Sequence, residues 1–312
     1  MKKIRHFLSI TDLSPKEFWQ VMQLSKKLKT EHKRKGANKE IFPNKTLIMI
    51  FEKPSLRTRI SFEAGMTHVG GHAIYLGPSD IGMGSREEPR DVAIVSSSMS
   101  DIIMARTFKH TTIENLAQHA TVPVINALSN IEHPCQILAD FMTIWEVKGK
   151  LEGLRLAYVG DAENNVTHSL ALGCGLLGMH FYVGAPKGYW MDAAIFNKSQ
   201  ALAKKTNVSI KQTTKPQEAV KGADVVITDT WVSMGDEKEK KKRLKIFKPY
   251  QVNSSLMKLA HKKAIFLHCL PAYRGNEVSS DVIDSARSVV FQEAENRLHA
   301  QKGLMAFLLN QP

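Results

Sequence analysis

A chain of 312 residues with 43% hydrophobic and 23% charged residues can bury one large core or two cores of about 150 residues, which excludes global disorder. Its 43 Lys+Arg against 30 Asp+Glu give a net charge of +13, which raises three anionic partners: nucleic acid, a membrane surface, or a small phosphorylated substrate. Three cysteines (Cys135, Cys174, Cys269) are too few for a disulfide framework and point to a reducing compartment.

The basic opening, Met1 to Asp12, carries an apolar run too short for a secretory h-region. Every apolar run is interrupted well before the roughly 18 residues of a membrane span. A cytoplasmic protein without a membrane partner is expected. Ser14-Pro15-Lys16-Glu17 combines a capping box with Pro at the first helical position. Phe18, Val21, Met22, Ser25 and Leu28 follow at helical spacing, which predicts a helix to residue 34 and a loop over 36–44.

Short apolar runs then alternate with helical patterns. Strands are expected at Thr46–Phe51, His72–Leu76, Asp101–Arg106 and Val122–Asn126, with a longer helix at Pro134–Val147. After a break around Gly149 and Gly153, strands are expected at Arg155–Gly160, His180–Gly184, Val208–Gln212, Asp224–Thr228, Ala264–His268 and Ser288–Phe291. A last helix covers Glu293 to Leu309. This alternation predicts an α/β protein of two doubly wound domains, each a parallel sheet flanked by helices. The break divides them into 1–148 and 149–292. Two basic runs, Lys26 to Lys39 and Lys238 to Arg243, lack interleaved aromatics and read as a solvated helix face and a charged loop, not a single-stranded nucleic-acid groove.

In such folds ligands bind at the carboxyl ends of strands. There the first strand runs into Glu52-Lys53-Pro54 and then Ser55-Leu56-Arg57-Thr58-Arg59, which opens a helix. A helix N-terminus offers free N–H groups, Thr58 a hydroxyl, and Arg57 a fixed fork for phosphate. The third strand ends at Arg106-Thr107. After the fourth come His133-Pro134-Cys135-Gln136, with His133 placed to donate to a carbonyl oxygen that gains charge. In the second half, Asp161 to Asn165, Asp229 to Gly235, and His268-Cys269-Leu270-Pro271 each follow a strand. The first lacks G-x-G-x-x-G, so a dinucleotide site is only weakly supported.

This ordered set, completed by Glu293-Ala294-Glu295-Asn296-Arg297, resembles the transcarbamoylases over nearly the whole chain, with Asp-x-x-x-Ser-Met-Gly and His-Cys-Leu-Pro similar to the ornithine branch. The resemblance implies transfer of the carbamoyl group of carbamoyl phosphate to the δ-amine of L-ornithine, giving L-citrulline and phosphate, in arginine biosynthesis. It implies that Ser55, Leu56, Arg57, Thr58 and Arg106 hold the phosphate. His133, Gln136, Thr58 and Arg297 surround the carbamoyl group, with Cys269 and Leu270 beside the carbamoyl carbon and the incoming amine. Asn165, Asp229, Ser233 and Met234 hold ornithine. The catalytic set is Arg106, His133 and Cys269. The resemblance also implies interdomain helices, a final helix (293–312) packed back on the first domain, a homotrimer with shared active sites, and no metal or organic cofactor.

Two positions depart from the family pattern. Leu56 stands where Thr is usual, and Gly82 where a Gln usually reaches a neighbouring subunit's carbamoyl phosphate. Either Arg86 supplies a charge in place of that Gln, or affinity is lower. A transcarbamoylase for putrescine or an N-acylated ornithine, an inactive transcarbamoylase, and a basic nucleic-acid-binding protein are the rival readings.

Overall fold

The computed structural model describes residues 4–232 and 237–310. Among them are nine strands: β1 (Thr46–Phe51), β2 (His72–Leu76), β3 (Ile102–Arg106), β4 (Val124–Leu128), β5 (Arg155–Val159), β6 (His180–Gly184), β7 (Ile210–Thr213), β8 (Val225–Thr228) and β9 (Ile265–His268). β1, β3, β4, β8 and β9 are apolar on both faces and almost wholly buried. That is the signature of parallel strands covered by helices on each side. Of the four edge strands, β2 and β7 are mixed in exposure, whereas β4 and β9 are buried.

Two parallel sheets result, in the orders β2-β1-β3-β4 and β7-β6-β5-β8-β9. In each, the chain winds outward one way and then the other. The reversal falls between β1 and β3 in the first sheet and between β5 and β8 in the second. A loop leaving such a reversal departs from its neighbour, and the crevice at the carboxyl ends is where doubly wound sheets bind ligands.

The chain forms two compact units. One contains the chain up to Ala139 together with the stretch from Glu295 onward; the other is Asp140 to Ala294. The two junctions lie inside helices Pro134–Lys148 and Val290–Leu309. The first unit's core includes Ile48, Ile50, Ile103, Ala105 and Val124, all from its sheet. The second is built on Ala157, Val159, Val226 and Phe266, covered by Val252, Leu256 and Val282.

Three expectations about strands need correction. No tenth strand forms at Ser288–Phe291. Ser288 makes one isolated bridge to Phe266, and the helix Val290–Leu309 has begun two residues later. The Glu293 N–H already bonds to the Val289 carbonyl at 2.9 Å. A short apolar run such as Val289-Val290-Phe291 reads alike as a strand or a helix entry, and here the helix takes it. β4 and β7 also start two residues later than expected, at Val124 and Ile210. Pro123 has no N–H to give to a ladder; its carbonyl only accepts from Ile103, at 2.9 Å.

Candidate active site

The first unit gathers its polar side chains at the β1/β3 reversal. Ser55 is the N-cap of helix Leu56–His68, accepting from the Thr58 N–H at 3.3 Å and donating to Thr58 Oγ1 at 3.0 Å. Leu56 opens that helix and is 70% exposed, so what it offers at the helix start is its backbone N–H. Arg106 closes β3 opposite Phe51, and its carbonyl accepts from the Glu52 N–H at 2.9 Å. It is buried, as is Thr107 beside it.

His133 precedes helix Pro134–Lys148, and its carbonyl accepts from the Gln136 N–H at 3.0 Å. Pro134 fits the first helical position because it has no N–H to leave unsatisfied. Gln136, one turn in, accepts at Oε1 from Arg297 Nη1 at 2.6 Å, and Arg297 Nη2 donates to Thr58 Oγ1 at 3.3 Å. Arg297 therefore joins the Ser55 cap to the His133 helix from a distant part of the sequence. All three side chains are buried.

The electrostatics are strongly cationic. Burial, and then the charges of Arg297, Arg106, Lys53 and Arg57, hold the His133 imidazole well below its usual pKa. It is neutral at physiological pH and keeps one N–H to donate. Lys53 was not singled out from sequence. Burial first, then Arg106, brings its ammonium down to about 8, against a smaller opposing effect of Glu52. The only hint in the sequence is its place between a strand end and a helix cap.

Arg86 is not gathered into this cluster. Its guanidinium turns back onto its own loop, donating to the Asp80 carbonyl and pairing with Glu87 at 3.2 Å, and stays 60% exposed. Gly82 caps helix Pro78–Ile81 in the left-handed conformation, φ +62°. A Cβ there would stand 3.0 Å from the Arg86 Cβ. The departure at this position therefore has a local cause: the turn is built for glycine.

The second unit gathers its polar groups at the β5/β8 reversal and at β9 beside it. Asn164 caps helix Asn165–Leu177, accepting from the Thr167 N–H at 2.8 Å and donating to the Tyr158 hydroxyl at 2.6 Å. Asn165 is thereby fixed in the first turn, where N–H groups face outward. Asp229, at the end of β8, accepts at Oδ1 from its neighbour's N–H (Thr230, 2.7 Å) and from Cys269 Sγ at 3.1 Å. Burial, and then Asp229 and Glu293, push the Cys269 thiol well above its usual pKa. Cys269 is a protonated donor, not a thiolate nucleophile.

Asp229, His268 and Cys269 bring three potential ligand atoms within 4.8 Å of one another. The His268 ring is already engaged on both nitrogens. Nδ1 accepts from the Leu270 N–H at 2.9 Å, and Nε2 faces Glu277 Oε1 at 3.2 Å. Leu270 holds φ +57°, a conformation non-glycine residues rarely adopt, and this bond helps to fix it. Hydrogen bonding rather than metal ligation accounts for the cluster. Ser233 and Met234 lie outside the described residues.

A sheet reversal lined by a capped helix, arginines and a neutral histidine is the geometry of a phosphate-ester or acyl-phosphate site in a doubly wound transferase. The comparisons define the class: the chain belongs to the aspartate/ornithine carbamoyltransferase family, whose carbamoyl-P binding domain matches residues 5–146 and whose Asp/Orn binding domain matches residues 152–308. Among individual relatives, ornithine carbamoyltransferase of Anoxybacillus flavithermus is 48% identical over 98% of this chain and 97% of its own length. The solved ornithine carbamoyltransferase of Pyrococcus furiosus superposes with a TM-score of 0.95, at 46% identity over 99% of this chain and 98% of that one. The anabolic enzyme of Campylobacter jejuni gives 0.92 at 39% identity, over 99% and 100% of the two chains. No helix among the described residues is long and apolar enough to cross a membrane.

Proposed function

We propose that this chain is an ornithine carbamoyltransferase working in the biosynthetic direction: carbamoyl phosphate and L-ornithine give L-citrulline and phosphate. The observation that carries the reading is the cluster Ser55, Thr58, Gln136 and Arg297, hydrogen-bonded around the β1/β3 reversal beside Arg106 and His133. Arg57 and Arg106 hold the phosphate dianion through bidentate forks, with the N–H of Leu56 and the Ser55 cap. His133, as a neutral donor, and Arg297 take up charge on the carbamoyl oxygen as the tetrahedral centre forms. Asp229 pairs with the α-ammonium of ornithine, and Asn165 donates to its α-carboxylate. Ser233 and Met234 complete that set on the strength of the family resemblance, and Leu270 and Cys269 flank the amine.

The chemistry is one addition and one elimination. The neutral δ-amine attacks the carbonyl carbon, the bond from that carbon to the bridging phosphate oxygen breaks, and the departing phosphate accepts the amine proton. With a Lys-like pKa of about 10.4, deprotonating the amine at pH 8 costs about 3 kcal/mol, and the cationic surroundings lower that cost.

Exposed apolar side chains on the first unit support a homotrimer with shared sites. Leu56 and Ile60 stand one turn apart on helix Leu56–His68, Val95 and Met99 one turn apart on helix Pro89–Met99, and these four and Phe108 are each at least half exposed. The short apolar runs and three unpaired-by-disulfide cysteines favour the cytoplasm.

The test is citrulline formation by the purified protein with carbamoyl phosphate and L-ornithine, run beside aspartate, putrescine and N-acetylornithine. Turnover is expected with ornithine alone. Its kcat/KM for ornithine should climb between pH 7 and 9 as the neutral amine fraction grows. A flat limb, or turnover with another amine only, would overturn the reading.

A further inference from the structure

The basic run Lys238 to Arg243 is not uniformly solvated. Helix Lys240–Phe247 exposes Lys240, Lys241 and Lys242, but Arg243 and Phe247, one turn apart, are buried. Arg243 Nε donates to the Trp231 carbonyl at 2.5 Å, and Nη2 donates to Asp161 Oδ2. The guanidinium also lies over the rings of Tyr189 and Phe247, 5.1 and 5.3 Å from their centroids, and Trp231 stacks on Phe247 at 5.9 Å.

Its two hydrogen-bond partners belong to different strand ends. Asp161 lies in the turn after β5, where its carbonyl accepts from Asn164 Nδ2 at 2.9 Å, and Asn164 in turn fixes Asn165. Trp231 lies two residues after Asp229, in the turn after β8. Arg243 is therefore a crosslink across the β5/β8 reversal, tying the loop of Asn165 to the loop of Asp229. An ion pair so buried gains less stability than its Coulomb energy suggests, since both partners leave water, but it fixes geometry sharply. A lysine cannot do the same, having no planar fork to serve both acceptors.

We propose that Arg243, through Asp161 and the Trp231 carbonyl, is a positioning residue that sets the spacing between the two side chains holding the amino-acid end of ornithine, and so underlies the preference for an α-amino acid over a simple diamine. This rests on the assignment of Asn165 and Asp229 to that end of the substrate. Arg243 touches no reacting atom, so its loss acts on recognition of one substrate.

The test compares wild type with Arg243→Lys and Asp161→Asn. The first keeps a charge beside Asp161 and loses the fork; the second keeps the shape and loses the ion pair. With saturating carbamoyl phosphate, the ornithine KM is expected to rise about tenfold or more in each, the size of a lost charged hydrogen bond, while the KM for carbamoyl phosphate stays within about twofold. The ratio of kcat/KM for ornithine over putrescine should fall in the same variants. A merely structural role would raise both KM values together, or lower kcat in step with the folded fraction seen in thermal melts. That pattern, or an unchanged ornithine KM, overturns the inference alone. A wild-type protein that forms no citrulline from ornithine overturns the substrate assignment and the inference with it.

Discussion

At the scale of single residues, the first unit's site is a study in charge held against solvation. His133 stays neutral because burial and four nearby cations oppose a fifth charge. Lys53 is poised at about 8 for the same reasons, chiefly burial and then Arg106. Binding a phosphate dianion nearby would draw the lysine pKa upward, so substrate and proton bind together. The KM for carbamoyl phosphate is therefore expected to rise in wild type as the pH passes 8. Lys53→Met should raise that KM several-fold at pH 7 and remove the rise, which steady-state kinetics from pH 7 to 9.5 would register. A Lys53→Met enzyme with the wild-type profile would exclude Lys53 from phosphate binding. The places of Ser55, Arg106 and His133 in the fold were legible in the sequence because each stands at the end of a strand or in the loop beyond one. Lys53 was not, since a lysine at a strand end looks the same whether buried or solvated. Arg243 was hidden by its neighbours: the five other charged residues of the run Lys238 to Arg243 masked the one that turns inward.

At the scale of elements, the first helix was the most legible. Ser14 and Glu17 form the expected capping box, and helix Pro15–Lys35 ends on Gly36 at φ +72°. Arg5 adds what spacing could not reveal, an ion pair to Glu17 at 2.5 Å that, with the Ser14 bonds, brings that carboxyl down to about 2. The run Lys26 to Lys39 is only partly a solvated face. Lys29 is buried and donates to Asn296 Oδ1 at 2.7 Å, and the His32 ring stacks on His68 at 4.3 Å. The partner is helix Val290–Leu309, and the two helices touch closely at Gly303. A Cβ on Gly303 would stand 2.0 Å from Ser25 Oγ and 2.8 Å from the Val21 carbonyl oxygen. The hydroxyl can rotate away, but the backbone cannot without separating the helices. Gly303→Ala is expected to destabilise the protein by about 1–3 kcal/mol, the usual cost of overpacking, despite alanine's better helix propensity. Urea unfolding would measure it. A stabilised Gly303→Ala would mean that the helices adjust freely.

At the scale of the whole molecule, alternation of apolar runs was enough to read two parallel sheets, because buried parallel strands carry continuous apolar sequence. Strand order was not legible. It depends on which helix crosses which sheet face, and both reversals emerged only from the pairing. The buried histidines give the molecule a further collective property. His133 is held well below its ordinary pKa, and His299 is brought to about 3 by burial and then Lys302 and Lys29. Each binds a proton in the unfolded chain, below about 6.5, that it does not bind when folded. Unfolding then takes up protons, so stability is full at neutral pH and falls as the pH drops, at up to about 1.4 kcal/mol per pH unit for each such histidine. The melting temperature at pH 5 is expected to lie several degrees below that at pH 7, and His299→Gln should lessen the difference. A melting temperature flat from pH 7 to 5 would contradict this.

The first unit is discontinuous in sequence, and that has a consequence for how the protein is made. A ribosome working from the N-terminus finishes the stretch up to Ala139 early, yet the helix that supplies Arg297, Gly303, Leu304 and Met305 emerges only after the second unit. Until then the face of helix Pro15–Lys35 that receives it is uncovered, and Gln136 and Thr58 lack their arginine. The second unit, Asp140 to Ala294, has no such wait, because its sheet is contiguous in the chain. The order of completion therefore reverses the order of synthesis: the later-made unit has its whole sheet first, and the cluster of Thr58, Gln136 and Arg297 is assembled only after that unit has been made.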